Sequence, residues 1–402
     1  MKKNILLVIS NLRVGGAEKN LISLLHEMNY EKYNVDIFLF QHDGRLLKKI
    51  PPQVNLLDRP DNFKYFDSSF FSTFIKNLLS FNWKLIINRI KFSILFNNKN
   101  QLALKEQKAW KHIEPFISKI PKNYDLAYSL LEKTCNYFVI DKVTADKKIL
   151  SVMTDYEALG MIREIDLPYF EKATYISVLS IENQEILQNV FPEFKNKIMI
   201  IENMISEKEI LKASNEKILD FPTDVFTIIS VGRIVEAKLH TIGVEIMKHL
   251  KERKLNFKWL IIGDGDKRNE LQNKINESNL ENYITIFGEK ENPYPYIKNA
   301  GIFLHLSKFE GYGIAIAEAR ILKKCIVLND FTTAATHVKN GFDGVIAPLD
   351  PEKIANEIGK LIADENLRRK YEQNVSFDKD FAQKILRKID LIIENNFFYE
   401  KY

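Results

Sequence analysis

The sequence predicts an α/β chain of two domains, each a parallel sheet covered by helices. Three observations carry that expectation. The chain has 402 residues, too many for one ordinary core and suited to two domains of about 150–200 residues each. Short apolar runs bounded by turn residues alternate with helical patterns along its whole length, as parallel βα units require. The alternation comes in two blocks of similar length and order, with no residue-level repeat between them. Apolar residues make up 46% and charged residues 28%, so composition supports real cores and excludes a disordered chain.

In the first block the apolar runs place strands at 4–9, 35–40, 125–130, 148–153, 175–179 and 198–201. A helix over 17–28 follows from Leu21, Leu24, Leu25 and Met28 at three-and-four spacing. The opening residues resemble a secretory leader, but the apolar run is five residues long and leads into Arg13 and Glu18, which reads as a first strand. In the second block strands fall at 226–231, 257–262, 284–287, 301–306, 325–328 and 344–347, with helices near 241–254, 267–278, 315–322 and 351–363. The polar stretch between Glu202 and Pro222 reads as the linker. The domains expected are 1–205 and 206–380, both Rossmann-like, and 381–402 as a C-terminal helix packing back on the first. Nowhere do 18 apolar residues run uninterrupted, so no spanning helix is predicted.

The charge balance is 58 Lys+Arg against 53 Asp+Glu, a net of +5, well short of a dedicated nucleic-acid binder. Two cysteines, Cys135 and Cys325, rule out a disulfide scaffold and a structural zinc site and fit a reducing cytosol. One segment breaks the pattern. Eight aromatics crowd into 63–83, and 84–122 carries nine Lys/Arg against two acids, a net of +7. Basic residues interleaved with Phe, Trp, Leu and Ile suit an anionic membrane surface. Equally, they suit helices that bury Phe and solvate Lys. No nucleic-acid module accompanies them.

The chemistry concentrates after the strand at 301–306, in Phe309-Glu310-Gly311-Tyr312-Gly313-Ile314-Ala315-Ile316-Ala317-Glu318. Glycines let backbone amides approach a ligand, and a helix opening straight after them offers unpaired N–H groups to an anion such as a diphosphate. Glu310 and Glu318, eight apart, are placed about 12 Å apart by helical rise. That suits two sugars flanking a diphosphate, since carboxylates accept paired bonds from sugar hydroxyls. Spacing alone fits a surface helix with a solvated Glu318 as well. Ser230-Val231-Gly232-Arg233, with Lys238 five residues on, puts a glycine and two cations at another strand end, a natural diphosphate clamp. Gly263-Asp264-Gly265 ends the next strand but lacks the full dinucleotide fingerprint.

Taken together these residues resemble a retaining glycosyltransferase of the GT4 family, with the GT-B fold of two Rossmann-like domains whose parallel sheets face across a cleft. The resemblance spans 5–363 and rests on Gly15-Gly16-Ala17-Glu18, Gly232-Arg233 with Lys238, Gly263-Asp264-Gly265, Asn292-Pro293-Tyr294, Glu310 through Glu318, and Gly341-Phe342-Asp343-Gly344. It is most similar to bacterial enzymes of capsule or O-antigen synthesis. The resemblance implies catalytic roles for Glu310, Arg233 and Lys238, with Glu310 on the donor sugar and the two cations on the diphosphate. It implies donor binding by Gly16, Gly263, Gly311, Tyr312, Gly313, Ile314 and Glu318, the last on the ribose, and an acceptor side at Thr154 and Asp155. It further implies a nucleotide-sugar donor, UDP-linked, giving up a hexose or N-acetylhexosamine. The acceptor would be a glycan or lipid-linked glycan, with no metal or other cofactor and no nucleic acid. With the basic segment, it predicts a cytoplasmic protein peripheral to the inner face of the plasma membrane.

Two positions depart from the family pattern. Leu239 follows Lys238 where many members carry glycine, and Met153 stands where many carry a histidine. Methionine cannot make that residue's hydrogen bond to the donor sugar. Other classes stay open at this level: a GT-B epimerase acting on a nucleotide sugar, a non-catalytic partner subunit, and a membrane-binding scaffold.

Overall fold

The computed structural model describes residues 2–13, 15–59, 63, 66, 83–97 and 102–394. The chain divides into two compact units, Met1–Met204 with Ala382–Tyr402, and Ile205–Phe381.

The first unit is built on seven parallel strands: β1 (Lys3–Ile9), β2 (Tyr33–Leu39), β3 (Asn55–Leu56), β4 (Asn123–Ser129), β5 (Thr144–Ser151), β6 (Tyr175–Val178) and β7 (Ile198–Ile200), in the order β3-β2-β1-β4-β5-β6-β7. Residues Ile5 to Ile9 are essentially unexposed, because both faces of a parallel sheet are covered, and this is why the strands read as unbroken apolar runs. The predicted first helix forms as Gly16–Glu27 and buries Leu21, Leu24 and Leu25. β3 is new relative to the sequence reading. It is a two-residue edge strand, pairing Asn55 with Asp36, too short to leave an apolar run. The helix Phe381–Ile393 belongs to this unit from Ala382 onward. Lys388 Nζ donates to the Ile200 carbonyl at 3.1 Å and to Glu202 Oε2 at 2.8 Å, and Tyr33 Oη donates to Asp390 Oδ1 at 2.5 Å.

The basic segment divides between surface and interior. Phe66 and Arg89 are buried, and Phe63 packs against the core. Lys122 Nζ reaches the buried Asp36 at 2.9 Å, beside Tyr124 Oη at 2.7 Å. Tyr65, Phe70, Phe71, Phe74, Phe81 and Lys99 lie outside the described residues.

The second unit carries six parallel strands: β8 (Phe226–Val231), β9 (Phe257–Ile262), β10 (Ile284–Gly288), β11 (Ile302–His305), β12 (Ile326–Asn329) and β13 (Gly344–Ala347), in the order β10-β9-β8-β11-β12-β13. Predicted helices form at His240–Glu252, Arg268–Glu277, Ile314–Ile321 and Pro351–Ala363. The stretch read as a linker contains a helix, Glu207–Ala213, whose N-terminus is capped by Ser206 Oγ accepting from the Glu209 amide. Ser206 and Glu209 are spaced as a capping box, a start signal that the polar composition hid.

Two backbone positions shape the loops that follow β8 and β9. A Cβ on Gly263 (φ +151°) would stand 1.8 Å from the Gly232 carbonyl oxygen, so only glycine allows these two strand ends to approach. Leu239 adopts a left-handed conformation, φ 49° and ψ 28°, at the entrance to the His240–Glu252 helix. A glycine would be unstrained there, whereas an L side chain costs about 1–2 kcal/mol. Leu239 is only 8% exposed and packs in this unit's core, so burial offsets the strain. We therefore expect an inverted order of stability. Glycine is ordinarily about 1 kcal/mol worse than alanine within or beside a helix, but Leu239→Gly should be the more stable of the pair Leu239→Gly and Leu239→Ala. Urea midpoints of the two variants check it, and a lower midpoint for glycine contradicts the left-handed assignment.

Candidate active site

In the second sheet β8 lies between β9 and β11, so the chain winds away from it in both directions. Loops leaving the C-terminal ends of β8 and β11 must diverge there, opening the crevice in which α/β sheets bind ligands. The sequence put its two cations on the β8 loop and its first glutamate on the β11 loop. The fold brings Lys238 and Glu310 side by side.

The two loops are stitched together by main chain. The Lys308 amide donates to the Ala237 carbonyl at 2.8 Å, and Ser307 Oγ donates to the same oxygen at 3.1 Å. Behind them Asn329, ending β12, takes the Ser307 amide at 2.8 Å and returns a bond to its carbonyl at 2.9 Å. Lys238 and Glu310, 72 positions apart, consequently form an ion pair through Glu310 Oε1. His305 Nε2 donates to that same oxygen at 2.6 Å. Burial alone would raise the Glu310 carboxyl, but the Lys238 charge and the His305 hydrogen bond outweigh it and hold the group well below the usual carboxylate range. Glu310 is a carboxylate in the folded protein.

Past Glu310 the chain does not continue as helix. Gly313 (φ 77°, ψ 56°) caps the Ile314–Ile321 helix in a left-handed conformation, and a Cβ there would meet His337 Nε2 at 3.3 Å. Only residues from Ile314 onward are helical, so the helical-rise separation of about 12 Å for the two glutamates does not describe their path. Glu318 is 1% exposed and accepts from Tyr294 Oη at 3.0 Å. That burial removes the surface-helix reading, since an idle glutamate would not be desolvated. Burial, reinforced by the Glu318 charge, raises the Tyr294 phenol well above its ordinary value, so it remains a donor.

Arg233 is exposed just past β8 and, among the described residues, its side chain pairs with no carboxylate. Gly263 sits against Gly232, its amide bonded to the Gly288 carbonyl at 2.9 Å. Gly311 and Tyr312 are buried in the β11 loop, and the Tyr312 carbonyl accepts from His337 Nε2. Gly16 opens the first helix of the other unit. There, Asp155 Oδ1 is committed to its own turn, accepting the amides of Glu157 at 3.0 Å and Ala158 at 2.9 Å. Thr154 lies beside it after β5, and the Met153 amide is held by Glu132 Oε2 at 3.0 Å.

The fold sets His305 on Glu310, with His240 and His337 close enough to feel the His305 charge. Burial pushes the His240 imidazole down to about 3 and that of His337 to about 4, and it lowers His305 with help from the Lys238 charge. All three are neutral near pH 7. The sequence motif at 292–294 gives Tyr294 no role, and Glu132 lies in no motif. Neither has a spacing signal, because each meets its partner on another element. A concavity of about 740 Å³ in the second unit, bounded by Arg253, Leu255, Asn340 and Lys353, shares no residue with the β8 and β11 loops.

Comparison with known proteins bears on the fold and the family. Residues 212–376 match the family model described as glycosyl transferases group 1. An uncharacterised glycosyltransferase of Methanocaldococcus jannaschii is 28% identical over 262 residues, covering 56% of this chain, which spans 64% of that protein's length. An N-acetylgalactosamine-N,N'-diacetylbacillosaminyl-diphospho-undecaprenol 4-alpha-N-acetylgalactosaminyltransferase of Campylobacter jejuni is 26% identical, covering 69% of this chain and 77% of its own. Among solved structures, HepE of Anabaena in complex with UDP and glucose superposes with a TM-score of 0.65 at 17% identity, covering 96% of this chain and 99% of that one. The fold is GT-B, and residues 212–376, which match the group 1 glycosyltransferase model, include Arg233, Lys238, Glu310 and Glu318.

Proposed function

We propose that the chain is a retaining glycosyltransferase moving a hexose or N-acetylhexosamine from a UDP-sugar to a lipid-linked glycan, in bacterial surface polysaccharide synthesis of the capsule or O-antigen kind. The observation that carries this reading is the crevice beside β8, where Lys238, His305 and ionised Glu310 meet one loop away from the buried Glu318. Glu310 takes the sugar and Glu318 the ribose, with Arg233, Lys238 and the amides of Gly313 and Ile314 on the diphosphate between them. The UDP assignment is supported by the UDP bound to the Anabaena protein, and the lipid-linked acceptor by the undecaprenol substrate in the Campylobacter enzyme's name.

In this mechanism the bond between the anomeric carbon and the donor phosphate oxygen breaks as the acceptor oxygen attacks the same face. The acceptor's proton passes to the departing phosphate oxygen. Charge builds on the diphosphate, so fixed cations and a helix N-terminus aimed at it provide the main acceleration. These supply the charge without a metal ion.

The proposed place of work is the inner membrane surface. No helix among the described residues is long and apolar enough to cross a membrane. On the Trp83–Asn97 helix, however, Trp83 (54% exposed), Ile87 (49%), Ile90 (36%) and Ile94 (65%) share one face. Lys84 and Lys91 are exposed beside it. Inserted apolar side chains flanked by lysines, each worth about 1 kcal/mol near anionic lipid, suffice for reversible binding.

Three measurements test the proposal. Thermal-shift and calorimetric binding against UDP, GDP, ADP and dTDP sugars should select UDP, with Glu318→Ala weakening it about 10- to 100-fold through lost ribose bonds. Arg233→Ala should weaken it too, and variants binding as tightly as wild type would remove the nucleotide assignment. Glu310→Ala should depress turnover far more than affinity for bare UDP, and turnover should survive EDTA; loss on chelation, restored by Mn²⁺, contradicts the metal-free mechanism. In liposome flotation, wild type should rise with phosphatidylglycerol vesicles at low salt. Combining Lys84→Gln, Lys91→Gln, Ile87→Asn and Ile94→Asn should abolish this while UDP binding persists, and a wild type that never floats ends the membrane reading.

A further inference from the structure

We propose that His305 is a positioning residue for the donor sugar: it pins one oxygen of Glu310 so that the other is presented to the sugar hydroxyls. The inference rests on Glu310 being the sugar contact. His305 is the last residue of β11, paired in register with Leu328 of β12, so its backbone is fixed by the sheet. Its ring is packed between Phe303, stacked at 6.3 Å, and Phe331, at 6.1 Å. From this seat Nε2 donates to Glu310 Oε1 at 2.6 Å, the oxygen that also meets Lys238. Neither bond goes to Oε2.

Lys238 alone would fix the carboxylate poorly. Its ammonium sits on a flexible four-carbon stem, and in the proposed mechanism it also serves the diphosphate. A carboxylate held only by that lysine would move with it. An imidazole on a strand end holds the same oxygen independently, and small misplacements at a reacting centre are costly. The titratable groups facing His305 are Lys238, His240, His337 and Glu310. Burial and the lysine keep the imidazole neutral, so it adds a hydrogen bond to Glu310 without a second positive charge competing for it.

His305→Phe keeps the ring and its packing and removes the donor, whereas His305→Gln restores a donor of similar reach. Probes are bare UDP, UDP-glucose and UDP-N-acetylglucosamine, read as affinity and as UDP release. His305→Phe should bind bare UDP as wild type does but lose turnover about 10- to 100-fold, the worth of one bond to a charged group, and His305→Gln should recover most of it. Should His305→Phe not fold, His305→Asn, a donor too short to reach, takes its place. Normal turnover in the donor-less variant alongside a dead Glu310→Ala overturns the positioning role. So does an equal loss of bare-UDP affinity, which would mark a merely structural histidine. Normal turnover in Glu310→Ala itself would instead overturn the parent reading of Glu310.

Discussion

A carboxylate that is largely shielded from solvent, that of Glu310, governs the C-terminal unit. Removing a charge as shielded as Glu310 from water is costly unless a counter-charge and hydrogen bonds replace the lost solvation. Its counter-charge, Lys238, comes from another βα unit, so β8 and β11 must be neighbours with their loops held in register. The parallel order supplies the adjacency. The Ala237 carbonyl, taking bonds from both Lys308 and Ser307, supplies the register. The left-handed turns at Leu239 and Gly313 then steer the chain out of the two loops into their helices. Loops are ordinarily the loosest parts of an α/β unit; here the ion pair and its stitching tie two of them to the sheet.

Much of this was legible in the sequence, for a reason of geometry. Strands buried on both faces appear as continuous apolar runs, so β8, β9 and β13 were located to the residue. β3 and the Glu207–Ala213 helix escaped, the one because two residues make no pattern, the other because a polar face masks a capped turn. Residues such as Lys238 and Glu310 stand out by type and by place at strand ends. His305 and Tyr294 do not, because what marks them is a contact between elements. The basic segment shows the same limit. Composition pointed to its aromatics and its arginine, yet Phe66 and Arg89 are buried while Trp83 and three isoleucines take the exposed face. Which side of a helix meets the core is settled by packing.

On the proposed function, the charges around the crevice give the two cations different work. Lys238 and Glu310 cancel, and a neutral His305 leaves the cluster with no net charge to draw in a diphosphate. Net attraction must therefore come from outside the cluster. Arg233, exposed and unpaired with any carboxylate among the described residues, provides a full positive charge. The first turn of the Ile314–Ile321 helix provides about half of one. In the proposed mechanism Arg233 and the helix would draw the anion in, while Lys238, already set against Glu310, would act at short range and couple the diphosphate to the carboxylate proposed to hold the sugar. An anion that draws on Lys238 weakens its hold on Glu310, and it is then that a second, uncharged partner for the carboxylate matters most. The histidine at the end of β11 occupies the position from which that support can be given.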